Sequence, residues 1–404
     1  MMTEDIKKIR LGLDSLTVFR GLLSDPVISG VRDCFSALAE GRDSDAVSAY
    51  SGFVSRLFEE GYCSLTSYLK DAVCADENVY VKARSRGDKA SEAVIRSVER
   101  ELSIIRKLSA LTSEEFLKCM PADTSLSAYE TENVDIAAVY KERTDNIGKY
   151  GYGVFVKYHM FCFENGQILP VKHPDGITLD MLIGYEYEHK AVLDNTLALL
   201  NGKPASNVLL TGDAGTGKSS TVKAVVNELY PEGLRIVEIR KEQLRFIPTL
   251  LDELAPNPLK FIIFIDDLSL ANDDDNLSAL KAVLEGSISA KSQNVVIYAT
   301  SNRRHIVKET FSDRDGDEIH RNDTMQELMS LSDRFGMHIS FSKPNKETYL
   351  EIVRSLADKA GITMAKDRLD FLAEKFALIK GGRSARTAKQ FVDRLLSDDE
   401  TVKE

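Results

Sequence analysis

The residues best equipped for chemistry run from Gly212 to Ser220, GDAGTGKSS, where the positions through Ser219 fit GxxxxGK[ST]. Gly212, Gly215 and Gly217 let the backbone fold tightly, so that N–H groups of the loop, including those at Asp213, Ala214 and Thr216, can be aimed at an anion. A helix beginning here adds the positive end of its dipole. Lys218 supplies a mobile point charge for the β- and γ-phosphates of a nucleotide, and Ser219 offers a hydroxyl to magnesium, with Ser220 next in the first helical turn. A glycine-rich turn that merely caps a helix has no need of lysine and serine in succession. Further on, Phe261–Ile265 is wholly apolar and runs into Asp266 and Asp267. Beside such a loop, Asp266 would hold magnesium through a water, and Asp267 would orient or deprotonate an attacking water. Read alone, the same strand could end in acids that only cap the next turn.

These groups need a scaffold, and the pattern around them supplies one. Val208–Leu210, Leu234–Ile239, Phe261–Ile265, Val295–Ala299 and His338–Phe341 read as five short buried strands. Helical segments at Ser219–Leu229, Gln243–Leu254 and Leu277–Leu284 separate most of them. Strands alternating with helices imply a parallel α/β sheet covered on both faces. Residues 1–148 carry apolar residues at three-to-four spacing, as in Val94, Ile95, Val98, Leu102, Ile105 and Leu108, and read as mainly helical. Residues 149–178 change character, with a β-rich stretch at Tyr150–Cys162, and read as a β-containing linker. Helical signals return from Leu179 to Leu200. The α/β core is expected over 179–342 and a small helical unit over 343–404.

Composition narrows the class. At 404 residues the chain is too long for one core, and 43% hydrophobic with 28% charged residues excludes a disordered polymer. The formal charge of -11 disfavours polyphosphate binding over the whole surface. A local basic stretch, Lys82 to Lys107, alternates in sign and reads as a solvated helix face. No apolar run reaches the roughly 20 residues that span a bilayer, and the first residues lack the apolar stretch of a signal peptide. The five cysteines, Cys34, Cys63, Cys74, Cys119 and Cys162, lack paired spacing. This argues against a disulfide framework or zinc site and for a reducing cytoplasm.

With two such elements in order, the sequence resembles the AAA+ ATPase superfamily. More narrowly, Leu179 to Leu396 is similar to DUF815, a bacterial ATP-binding family of unknown function within AAA+. The phrases carrying that likeness are NVLL from Asn207, the GTGKSS core, DDLS from Asp266, LKAVLEG from Leu280, YATSNRR from Tyr298 and LSDRFG from Leu331. The resemblance implies an AAA+ P-loop core with a helical C-terminal lid, and ATP with Mg2+ as cofactors. It further implies a homo-oligomer acting on a protein or DNA partner. Asn302 matches the sensor 1 residue that positions the lytic water. Arg334 matches an arginine finger reaching a neighbouring subunit's γ-phosphate. Arg386 matches the sensor 2 arginine of the lid, with Arg383 as rival.

One departure bears on rate. The usual second carboxylate after the apolar strand is Glu, and here it is Asp267. The missing methylene withdraws the carboxylate by roughly an ångström, a misplacement that can cost about 100-fold. Slow basal turnover is therefore expected, stimulated by Arg334 in trans. Two further readings stay open: an ATP-dependent switch or scaffold with negligible hydrolysis, linked to DNA or a protein, and phosphoryl transfer to a small molecule. The acidic runs Asp273–Asp275 and Asp313–Asp317 read as solvated loops, since the latter lacks the Gly and Glu of a calcium-binding loop. His159, His305 and His320 have no partner at metal-ligand spacing.

Overall fold

A computed structural model describes residues 4–121, 125–268, 280, 283–284, 293–302 and 333–397. The readings placed on Leu277–Leu284 as a helix, on the acidic runs 273–275 and 313–317, and on His305 and His320 lie largely or wholly outside them. The chain divides after Lys157 into two compact units.

The first unit is helical, and its helix ends follow the local chemistry. Asp25, Ser64, Asn78, Ser91, Thr112 and Asp135 each accept a backbone N–H at the start of a helix. At Thr112, Glu115 reciprocates to complete a capping box. Helix Pro26–Glu40 has proline in its first turn and stops at Gly41, whose φ of 69° suits glycine. Ring pairs among Phe35, Tyr50, Phe53 and Phe116 fill the core, at centroid separations of 4.9 to 5.7 Å.

The second unit is built on a seven-stranded sheet in the order β2-β1-β4-β5-β6-β3-β7. The strands are β1 Met160–Glu164, β2 Gln167–Pro170, β3 Val208–Gly212, β4 Leu234–Ile239, β5 Lys260–Ile265, β6 Val295–Ser301 and β7 Met337–Phe341. All neighbours pair in parallel except β1 with β2. Five parallel strands were expected, and β1 and β2 are the additions. The hairpin assigned to a linker extends the sheet instead, through β1 against β4. Its turn is Asn165-Gly166, both at positive φ (52° and 81°), the pairing that favours a tight two-residue hairpin. Within Tyr150–Cys162 only the last residues are extended, since Val154–Lys157 forms a helical turn. Leu179–Leu200 is likewise a short 3₁₀ turn, a break, and the helix Glu186–Leu200.

All five residues of β3 are buried, as are Phe261–Ile265 of β5. Each large apolar side chain so placed contributes roughly 1.5–3 kcal/mol. Tyr298 of β6 is fully buried, and its hydroxyl is met by Asn195 and Thr196 of helix Glu186–Leu200 at 3.0 and 2.8 Å. That satisfied polar contact fixes the helix over the sheet. Helices Lys346–Lys359, Lys366–Ile379 and Ala385–Ser397 pack on a small core of their own around Tyr349, Phe376 and Phe391. Among the described residues, no helix is long and apolar enough to cross a membrane.

Candidate functional site

Strands β3, β5 and β6 lie side by side and end at the same edge of the sheet. In parallel strands this brings the residues just beyond their C-termini together. The chain leaves β3 at Gly212 with φ 141°, where an added Cβ would lie 2.0 Å from the Phe341 carbonyl oxygen of β7. Only glycine permits that approach. Gly217, at φ 99°, precedes helix Lys218–Leu229, whose amides open into the loop.

Lys218 is 5% exposed. Its Nζ donates to the carbonyls of Gly212 and Asp213 at 2.9 and 2.8 Å and to Asn302 Oδ1 at 3.0 Å. Burial draws its pKa below the usual lysine range, against the opposing pull of Asp213, Asp266 and Asp267. Ser219 Oγ donates to Asp266 Oδ1 at 2.6 Å, and Thr300 Oγ1 donates to the same oxygen at 2.6 Å. Asn302 Nδ2 donates to Asp267 Oδ1 at 2.7 Å. Residues from three sequence segments thus form one hydrogen-bonded cluster.

The cluster faces a cavity of about 860 Å³. Of the residues singled out in the sequence, Gly215 through Ser220, Asp266, Asp267, Asn302 and Arg386 line it. The lid reaches the loop directly: the Arg386 amide donates to the Gly215 carbonyl at 3.2 Å. A Cβ on Gly215 would sit 2.9 Å from that of Arg386. Arg383 instead forms a two-pronged pair with Glu374 at 2.8 and 2.7 Å, away from the lining. Gly212, Asp213 and Ala214 precede the lining residues in the loop. Arg334, just before β7, is half-buried and is not among the described residues that line the cavity.

The sequence reading missed the apolar part of the lining, to which Ile177, Met181, Leu182 and Ile183 contribute together with Ile352 and Leu356 of helix Lys346–Lys359. Asn227, on the helix that starts at Lys218, holds this segment by donating to the Asp175 and Ile177 carbonyls, both at 2.8 Å. Tyr185 closes its far end, donating to the Ser342 carbonyl at 2.6 Å. The available signal was the apolar run Met181–Ile183 stopped by Gly184, which the helical periodicity of neighbouring residues obscured.

The donor set suits a nucleotide with a divalent cation. A buried ammonium, glycines held open at positive φ, and a hydroxyl beside a carboxylate match a phosphate chain and a hard, oxygen-seeking ion. No group of three or more His, Cys, Asp or Glu side chains converges among the described residues. The apolar part of the lining offers a flat base a place to stack away from water.

The family model described as a protein of unknown function (DUF815) matches residues 156–399. No curated protein matches the chain. Among solved structures, the chain is similar to PCH-2 of C. elegans at 17% identity, covering 55% of this chain and 65% of that one, with a TM-score of 0.39. This chain therefore spans less than two thirds of that protein's length. It is also similar to the RuvB Holliday junction branch migration motor of Thermotoga maritima at 16% identity, covering 56% and 75%, with a TM-score of 0.33. The family match takes in the whole sheet, the Gly212–Ser220 loop and the three C-terminal helices, more than half of the chain, so the chain belongs to the DUF815 family.

Proposed function

We propose that this protein binds Mg-ATP in the 860 Å³ cavity and hydrolyses it slowly, using the resulting conformational change to remodel a protein or nucleic-acid partner. The observation that carries the reading is the cluster itself: Lys218, Ser219, Asp266, Asp267 and Asn302 joined by hydrogen bonds of 2.6 to 3.0 Å at one edge of the sheet. Lys218 and the loop amides bind the phosphates. Ser219 and Asp266 would hold Mg2+, which would supply positive charge to offset that of the phosphates. Asp267, oriented by Asn302, accepts a proton from the water whose oxygen attacks the γ-phosphorus as the bond to the β–γ bridging oxygen breaks. Arg386 stabilises the phosphates from the lid, and Arg334 acts on the nucleotide of a neighbouring copy. The oligomer, cytoplasmic location and partner belong to the same proposal.

A second reading, an ATP-dependent switch with negligible hydrolysis, is favoured by Asp267 itself, whose carboxylate is already engaged by Asn302 at 2.7 Å. Turnover measured against protein concentration separates the two. Wild type is expected to accelerate as copies associate, and Arg334→Ala to lose that acceleration, since such fingers are worth about 10³–10⁵ elsewhere. Asp267→Asn should bind ATP normally and turn it over at least about 100-fold more slowly. Normal hydrolysis by Asp267→Asn discards the base, and identical, concentration-independent rates for wild type and Arg334→Ala discard the finger in trans.

A further inference from the structure

Thr300 lies near the end of β6, beside the turn that follows β5; the sequence reading quoted it within YATSNRR but gave it no role of its own. It is 2% exposed. Its hydroxyl works in both directions: it donates to Asp266 Oδ1 at 2.6 Å and accepts the backbone N–H of Asp267 at 3.0 Å. Its carbonyl accepts the N–H of Leu268 at 2.7 Å. The turn carrying both carboxylates is therefore fastened to one residue of the neighbouring strand. Within it Asp267 has φ 54°, one of three non-glycine residues described in the left-handed region. Aspartate and asparagine occupy that region several-fold more readily than other side chains. In this conformation Asp267 Oδ1 meets Asn302 Nδ2 at 2.7 Å, and Asn302 Oδ1 in turn meets Lys218 Nζ at 3.0 Å.

We infer that Thr300 is a positioning residue whose single hydroxyl sets the aim of both Asp266 and Asp267, and that the left-handed turn it holds is why position 267 carries aspartate. The argument is one of satisfaction. Valine, which matches threonine in shape, would leave the Asp267 amide without its acceptor and Asp266 Oδ1 with Ser219 as its remaining side-chain donor. The turn is then free to leave the left-handed region, and Asp267 loses its register with Asn302. Glutamate at 267 would suit the backbone less well and overreach Asn302, so the longer acid is expected to slow the reaction. The kinetic part of this inference rests on the proposed ATPase activity; the structural part does not.

The test compares Thr300→Val, Thr300→Ser and Asp267→Glu in the full-length protein. Amide exchange at Asp267 is measured without nucleotide, and turnover and affinity are measured with ATP and Mg2+. Thr300→Val should expose the Asp267 amide by about tenfold or more in exchange rate and lower kcat by about 100-fold, with ATP affinity within about threefold of wild type. Thr300→Ser should restore both. Asp267→Glu changes an exposed side chain and should turn over more slowly than wild type, which keeps the inference testable if Thr300→Val does not fold. An Asp267 amide equally protected in Thr300→Val overturns the inference, as does an Asp267→Glu protein faster than wild type. A wild type without turnover refutes the ATPase reading, while the exchange comparison still decides the role of Thr300.

Discussion

Each unit of this protein holds ionic groups in a web of hydrogen bonds, and the two webs differ in kind. In the helical unit, Glu101 is fully buried in helix Glu92–Ser109. It accepts the backbone N–H groups of Thr17, Val18 and Phe19 and the Thr17 hydroxyl, at 2.6 to 3.0 Å, and Arg100 joins at 3.1 Å. Burial alone would raise its pKa, but these donors outweigh it and hold the carboxyl below its usual range. Its bonds run to the chain's own backbone amides at Thr17, Val18 and Phe19, and it is not among the residues that line the 860 Å³ cavity. In the sheet unit, Lys218 is nearly as buried, yet it and its neighbours line a cavity. A charge satisfied by the chain's own backbone fastens the fold. A charge gathered with others at the rim of a cavity is available to a ligand.

Three experiments can break or sharpen that contrast. The largest effect is expected at Lys218→Ala. Loss of the ammonium should weaken ATP binding by about 100-fold or more while the protein still melts cooperatively, as seen by calorimetry with and without nucleotide. Retained affinity with a collapsed melting temperature would make Lys218 a structural charge like Glu101. Next comes Glu101→Gln, expected to cost about 3 kcal/mol in stability by urea unfolding and to leave nucleotide affinity unchanged. The folded carboxyl releases its proton more readily than the unfolded one, so its contribution is complete above 4.5 and disappears as pH falls through the lower folded value. Wild type and Glu101→Gln should therefore converge in strong acid. The smallest effect concerns His189, half-buried beside Tyr185 and Phe341, where desolvation lowers its pKa from 6.5 against the opposing pull of Glu186. The unfolded state then takes up the proton first, and stability should decline as pH drops below 6.5. His189→Gln should flatten that decline, and an unchanged slope would remove His189 from the account.

Much of the core was legible because its chemistry depends on neighbours in sequence. Gly212 to Ser219 is a local device: the glycines, lysine and hydroxyl must follow a strand and open a helix, and period and motif reveal both. The five parallel strands were visible as short apolar runs for the same reason. The hairpin Met160–Pro170 was expected too early in the chain although Asn165-Gly166 carries its turn signal, because the aromatic and β-branched residues of Tyr150–Val156 precede it, and Val154–Lys157 forms a helical turn instead. Whether Arg383 or Arg386 faces the site could not be read from two arginines three apart in sequence, of which only Arg386 lies on the helix Ala385–Ser397. It depends on Glu374, which engages Arg383, and on the Gly215 carbonyl, which meets the Arg386 amide.

The sequence alone determined the phosphate loop, the acidic end of β5 and the alternation of strand and helix, since each is a matter of residue type at short separation. The tertiary structure decided which distant groups share an atom. Thr300 and Ser219 converge on one oxygen of Asp266, and Asn302 bridges Lys218 and Asp267. Ile177, Met181, Leu182 and Ile183 line the same cavity. The physical reason is that parallel pairing sets β3, β5 and β6 beside one another at a fixed register, so contacts between their ends depend on the sheet and not on distance along the chain.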